Sequence, residues 1–119
     1  MSDRLNEFFQ RHEFECHCGC GFDVVDAELL QVLTALRQRF GTVTINSGAR
    51  CETHNKNEGG SSASQHLQGK AADVVVEDTC AGLVALWFEN QYPNQYGIGR
   101  YRGRTHIDVR AKKARWDKR

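Results

Sequence analysis

SGARCETHNKNEGGSSASQHLQGKAAD, Ser47 to Asp73, places a histidine, His66, and a carboxylate, Asp73, on either side of Gly69. Asp73 leads into an apolar run of Ala71, Ala72, Val74, Val75 and Val76. A carboxylate directed towards a core is costly unless a cation or hydrogen-bond donors receive it, and a metal shared with His66 is one such partner. A third potential ligand is His106 in THIDVR. Two imidazoles and one carboxylate would hold zinc and leave a fourth position for water, the open arrangement of a catalytic site. The spacing H-x6-D is also met by a loop histidine followed by an aspartate that accepts a hydrogen bond at a strand start.

The flanking sequence predicts the frame around this stretch. Val43 and Ile45 alternate with Thr44 and Asn46, which predicts a half-buried strand over 42–46. Ser47 to Gly69 has almost no large apolar residue and reads as a long functional loop; Ala71 to Val76 then reads as a buried strand. Upstream, Asp26 is an expected N-cap, with Val25 and Leu30 as a hydrophobic staple. Leu29, Leu33, Leu36 and Phe40 recur at helical spacing until Gly41. Downstream, Asp78 or Thr79 is expected to cap a second helix with Cys80, Leu83, Val84, Trp87 and Phe88 in its core stripe. Tyr96 to Arg110 reads as a hairpin turning at Gly103. On its return arm Ile107 and Val109 face one way and His106, Asp108 and Arg110 the other, with Asp108 about 6 to 7 Å along from His106. Leu5 to Phe14 reads as a short helix or turn before an extended EFEC segment. The expected fold class is α+β, a small, mainly antiparallel sheet with helices packed on one side.

A chain of 119 residues, 39% hydrophobic and 26% charged, fits one globular domain over 1–119, with a core at about 13–110. The formal net charge of +1 argues against a nucleic-acid partner. Residues 111–119, ending AKKARWDKR, read as a solvated basic tail or as a patch attracted to an anionic surface. No apolar run reaches transmembrane length, and MSDRLNEFFQ lacks a signal-peptide core. The expectation is therefore synthesis in the cytoplasm, as a monomer.

Cys16, Cys18, Cys20 and Cys51 are candidates for a second, structural metal; free thiols are the alternative. C-H-C-G-C is tight for a zinc knuckle if it is a strand. Cys80 reads as core. Cys51 with His54 only imitates a cysteine-protease dyad, and no nucleophile elbow is present.

SGARC-x2-HN, GG, S-x-H-x2-G-x-A-x-D, G-x-G-x-Y and H-x-D-x-R occur in order between about Glu13 and Arg110. Together they resemble the M15 metallopeptidases, the D-Ala-D-Ala carboxypeptidases and murein endopeptidases, and in particular a short branch of that family with an EF-x-C segment near its start. The resemblance implies a hedgehog/DD-peptidase-like fold and one catalytic Zn2+ held by His66, Asp73 and His106. The zinc would acidify a water and polarise the scissile carbonyl. It implies peptidoglycan peptides as substrate, met in the cell wall or periplasm after release or delivery. Arg50 maps to an arginine that contacts a substrate carboxylate or carbonyl, a surface salt bridge being the alternative, and Ser64 to a serine near substrate. His54 and Asn55 read as residues that fix the loop or line the cleft, or that make a hydrogen bond at a helix N-terminus. Several branches carry a glutamate three residues before the last zinc histidine, and this chain has Gly103 there. Asp108 is the substitute general base, or else the group that orients His106. The competing function is an inactive, zinc-bearing binding or assembly module on the same scaffold.

Overall fold

A computed structural model of the protein describes residues 3–119. The first long element is helix α1, Ala27–Phe40, which starts where the sequence predicts. The Asp26 carboxylate accepts the amides of Glu28 and Leu29 at 2.8 and 3.2 Å, satisfying two donors that a helix start leaves open. Leu29, Val32, Leu33 and Leu36 form its buried face.

Strands β1 (Val43–Ser47), β2 (Ala71–Val76), β3 (Gly97–Tyr101), β4 (Arg104–Asp108) and β5 (Ala114–Asp117) form one sheet in the order β1-β2-β4-β3-β5. The first four pair antiparallel; β5 runs parallel to β3. Strand alternation gives the sheet two unlike faces. Ile45, Ala72, Val74, Ile98 and Ile107 join the core with α1 and with α3, Ala81–Gln91. Asp73, His106 and Asp108 therefore point to the opposite face. The fold is α+β, as expected, with a mixed five-stranded sheet.

Four stretches differ from the sequence expectation. The loop after β1 contains a short helix, α2, Glu52–Asn57, and a 3-10 turn, Gln65–Gln68. Its polar composition hid both, because they are held by caps rather than by an apolar face. Helix α3 starts later than expected: Asp78 takes a left-handed turn conformation (φ 58°) and Cys80 is the N-cap. Cys80 is accordingly exposed, not core, and Leu83 is 54% exposed; Val84, Ala85 and Phe88 carry the buried stripe. The expected extended EFEC segment is a 3-10 turn, Arg11–Phe14, followed by turns through the cysteines.

The fourth difference is the basic tail, which supplies β5. Arg115 donates to the carbonyls of Tyr92, Gln95 and Tyr96, tying the strand to the end of α3. The Trp116 indole donates to the Tyr101 hydroxyl at 2.8 Å. The Cα radius of gyration is 13.3 Å, against about 13.5 Å expected for a close-packed chain of this length. No helix among the described residues is long and apolar enough to cross a membrane.

Candidate metal centre

Backbone pairing brings the proposed ligands together. Asp73 on β2 and His106 on β4 are direct cross-strand partners, so their side chains stand side by side on the polar face. His66 comes from the 3-10 turn. The Ser64 hydroxyl caps that turn by accepting the His66 amide at 3.2 Å, and Gly69 ends it in the left-handed conformation. All three residues are buried, and they offer ligand atoms within 4.8 Å of one another.

Each histidine has one nitrogen engaged elsewhere. His66 Nδ1 lies 2.7 Å from the Gly48 carbonyl, which makes it the protonated nitrogen and leaves Nε2 towards Asp73, at 3.4 Å. His106 Nε2 lies 2.7 Å from Asp108 Oδ2 and its Nδ1 3.2 Å from Asp73 Oδ1. Two ligand atoms each about 2.1 Å from a tetrahedral centre stand about 3.4 Å apart. The donor set thus fits a tetrahedral ion in both chemistry and spacing.

Charge is balanced within the cluster. Burial works against the Asp73 carboxylate, but the imidazoles of His106 and His66 beside it outweigh burial and hold its pKa well below the usual carboxylate range. Burial likewise disfavours charge on His106, yet bonds to Asp108 and Asp73 raise its pKa above the ordinary histidine value. Arg50 donates to Asp73 Oδ2 at 3.3 Å, to Ser47 Oγ at 3.0 Å and to Asn55 Oδ1 at 3.4 Å.

Asp108 is fully buried behind the His106 ring. Its carboxylate accepts three bonds from Arg110 and one from the Gly97 amide. Glycine at 97 makes room for it: a Cβ there would lie 2.4 Å from Asp108 Oδ2. Gly99 does the same for Trp116, whose Nε1 would be 2.3 Å from an added Cβ. Trp116 packs against His106 with ring centroids 5.0 Å apart and planes inclined at 49°. The G-x-G of β3 is therefore a packing requirement of the site.

His66, Asp73, His106 and Trp116 line an open cleft of about 560 Å³. Arg50, Arg104, Arg110 and Lys118 give its wall a cationic character, while Glu58 and Asp73 are the carboxylates that line it. Residues 7–108 match the sequence profile of the family described as Peptidase M15. The chain belongs to the peptidase M15 family. A comparison with curated proteins finds no match.

Within this M15 peptidase the cleft-facing site residues from the sequence are His66, Asp73, His106, Arg50 and Ser64. His54 faces a smaller adjoining hollow that shares Arg50, Glu58, Asp73 and Arg104 with the cleft. Its amide donates to Cys51 Sγ, so its backbone sits at the start of α2. Asp108 does not line the cleft of this M15 site; it holds His106 from behind. Sequence reasoning missed Trp116 and Lys118, which lay in a segment read as tail. Asn55, read from the sequence with His54 as a loop-fixing or cleft position, is 3% exposed and bonds the Ser61 carbonyl and Arg50. Alternation of Arg115 and Trp116 between two charged runs was the available signal for β5.

Proposed function

We propose that the protein is a zinc-dependent peptidase that hydrolyses peptide bonds of peptidoglycan stem peptides or their cross-links. The observation that carries this reading is the meeting of His66 Nε2, an Asp73 oxygen and His106 Nδ1 on the floor of an open cleft. When bound, zinc supplies Lewis-acid polarisation of a carbonyl and acidifies water. The chain's own residues do the rest. The Gly48 carbonyl and Asp108 fix the two imidazoles so that the correct nitrogen faces Asp73. Arg50 and the cationic wall receive a substrate carboxylate or carbonyl, for which the guanidinium fork is suited. Trp116 shields His106 from water on one side.

In this reading Asp108 is a positioning residue, because its oxygens are all committed and it is closed off from the cleft. Glu58, at the C-cap of α2, takes the role of proton acceptor; it is the carboxylate on the cleft wall other than the ligand Asp73. Gly103 at the position of the family glutamate favours the second reading, a zinc-bearing module without turnover. Incubation of the zinc-loaded protein with purified muropeptides, read by mass spectrometry, separates the two. Fragments that disappear on chelation and in His106→Ala support hydrolysis; intact muropeptides with tight zinc binding support the module.

A further inference from the structure

A second cluster of ligand-type side chains lies outside the cleft. We infer that Cys16, Cys18, Cys20 and Cys51 form a tetrathiolate site for a soft, tetrahedral divalent ion, zinc being the ion of that class with no redox chemistry of its own. Four ligand atoms 2.3 Å from a tetrahedral centre are about 3.8 Å apart. The sulfur pairs Cys16–Cys18, Cys16–Cys51 and Cys18–Cys51 lie at 3.4, 3.8 and 3.6 Å. Cys20 brings a fourth sulfur, and all four lie within 4.8 Å of one another. Four cysteines drawn from positions 35 residues apart in sequence do not converge on one point through apolar packing, since Cys18 and Cys20 are exposed.

The short spacing that argues against a knuckle is resolved by the backbone. Cys16-x-Cys18-x-Cys20 is not a strand: Gly19 and Gly21 take φ of 82° and 88°, which folds the segment around its own sulfurs. The Cys16 amide bonds the Phe22 carbonyl at 2.8 Å and closes the loop. Backbone amides also point at sulfur, Cys51 N to Cys16 Sγ at 3.5 Å and His54 N to Cys51 Sγ at 3.4 Å. Such donors stabilise thiolates. Binding converts thiols to metal thiolates and releases their protons to solvent.

The consequence is structural. Cys51 is the N-cap of α2 and follows Arg50, while Cys16 stands two residues after Phe14, whose carbonyl accepts the Ala49 amide at 2.8 Å. An ion here staples the N-terminal strap to the loop that presents Arg50 and the Gly48 carbonyl. The oxygen- and imidazole-based centre at His66 has a separate set of ligands.

The test is zinc-edge X-ray absorption on reduced, zinc-loaded protein, together with metal content per chain. Expected are two ions per chain and a sulfur shell at about 2.3 Å. Cys18→Ser/Cys20→Ser, at exposed positions, should bind one ion and lose the sulfur shell; His66→Ala/His106→Ala should bind one ion and keep only sulfur. A wild-type spectrum without sulfur scattering overturns the inference. So do five thiols, rather than Cys80 alone, that react fully with a thiol reagent in the loaded protein. Because the wild-type spectrum is sufficient, a poorly folding variant does not rescue the proposal.

Discussion

Changing Asp108 to asparagine removes one charge and one acceptor from a group that receives five hydrogen bonds. Oδ2 accepts from Arg110 Nη2 and His106 Nε2, each at 2.7 Å, and Oδ1 from Gly97 N, Arg110 N and Arg110 Nε. An asparagine amide placed at either oxygen sets a donor against donors. At least two charge-assisted bonds are lost, and Arg110 keeps a partly buried charge without its partner. Breaking such a pair costs about 3–5 kcal/mol, a fall of more than 10 °C in Tm at roughly 4 °C per kcal/mol. His106 also loses the acceptor that fixes its tautomer, which lowers metal affinity about 10- to 100-fold. The assays are thermal unfolding of the metal-free chain and zinc affinity by competition with a chromophoric chelator. Turnover is then measured at saturating zinc. Positioning through His106 predicts that stability and affinity fall together and that excess zinc restores part of the turnover. Wild-type stability and affinity with only kcat lost would refute this and make Asp108 the proton carrier.

Gly99→Ala should push Trp116 away from His106 at a cost of about 1–3 kcal/mol, seen in a Trp87→Phe background as a red-shifted Trp116 emission; unchanged emission contradicts the packing role. For Arg50→Lys, which keeps charge but loses the fork, kcat/KM on peptides with a free carboxylate should fall by about 10- to 100-fold, and an unchanged value removes Arg50 from substrate recognition. Proton linkage gives a signed prediction for the metal-free chain. The depressed pKa values of Asp73 and Asp108 contribute stability that is present above about pH 4 and lost as pH falls through the folded values; the raised value of His106 contributes stability below about pH 6.5 that is lost as pH rises through its folded value. The cluster is most stabilising between these limits, and a Tm that climbs steadily from pH 5 to about pH 9 would contradict it.

How far the sequence could be read depended on what holds each element. Helix α1 and strands β1, β2, β3 and β4 are held by apolar periodicity, caps and a two-residue turn, all local signals. The meeting of Asp73 and His106 needed only strand alternation and the order of two neighbouring strands. Helix α2 escaped notice because it has six residues and one buried side chain, Asn55, which is polar. Strand β5 escaped because parallel pairing with β3 is a long-range choice, and its inward groups are an arginine bonding carbonyls and a tryptophan over a histidine. The status of Asp108 was ambiguous for a related reason. Strand alternation gave its face, but only the packing of Gly97 and Arg110 shows that its carboxylate is enclosed.

Everything proposed for the cleft depends on His66, Asp73 and His106 sharing one zinc ion. Crystals grown with zinc and measured on both sides of its absorption edge test this directly. The expected result is an anomalous peak bonded to His66 Nε2, an Asp73 oxygen and His106 Nδ1. The three residues in their present places with no peak among them, or a peak held through His106 Nε2, would contradict it.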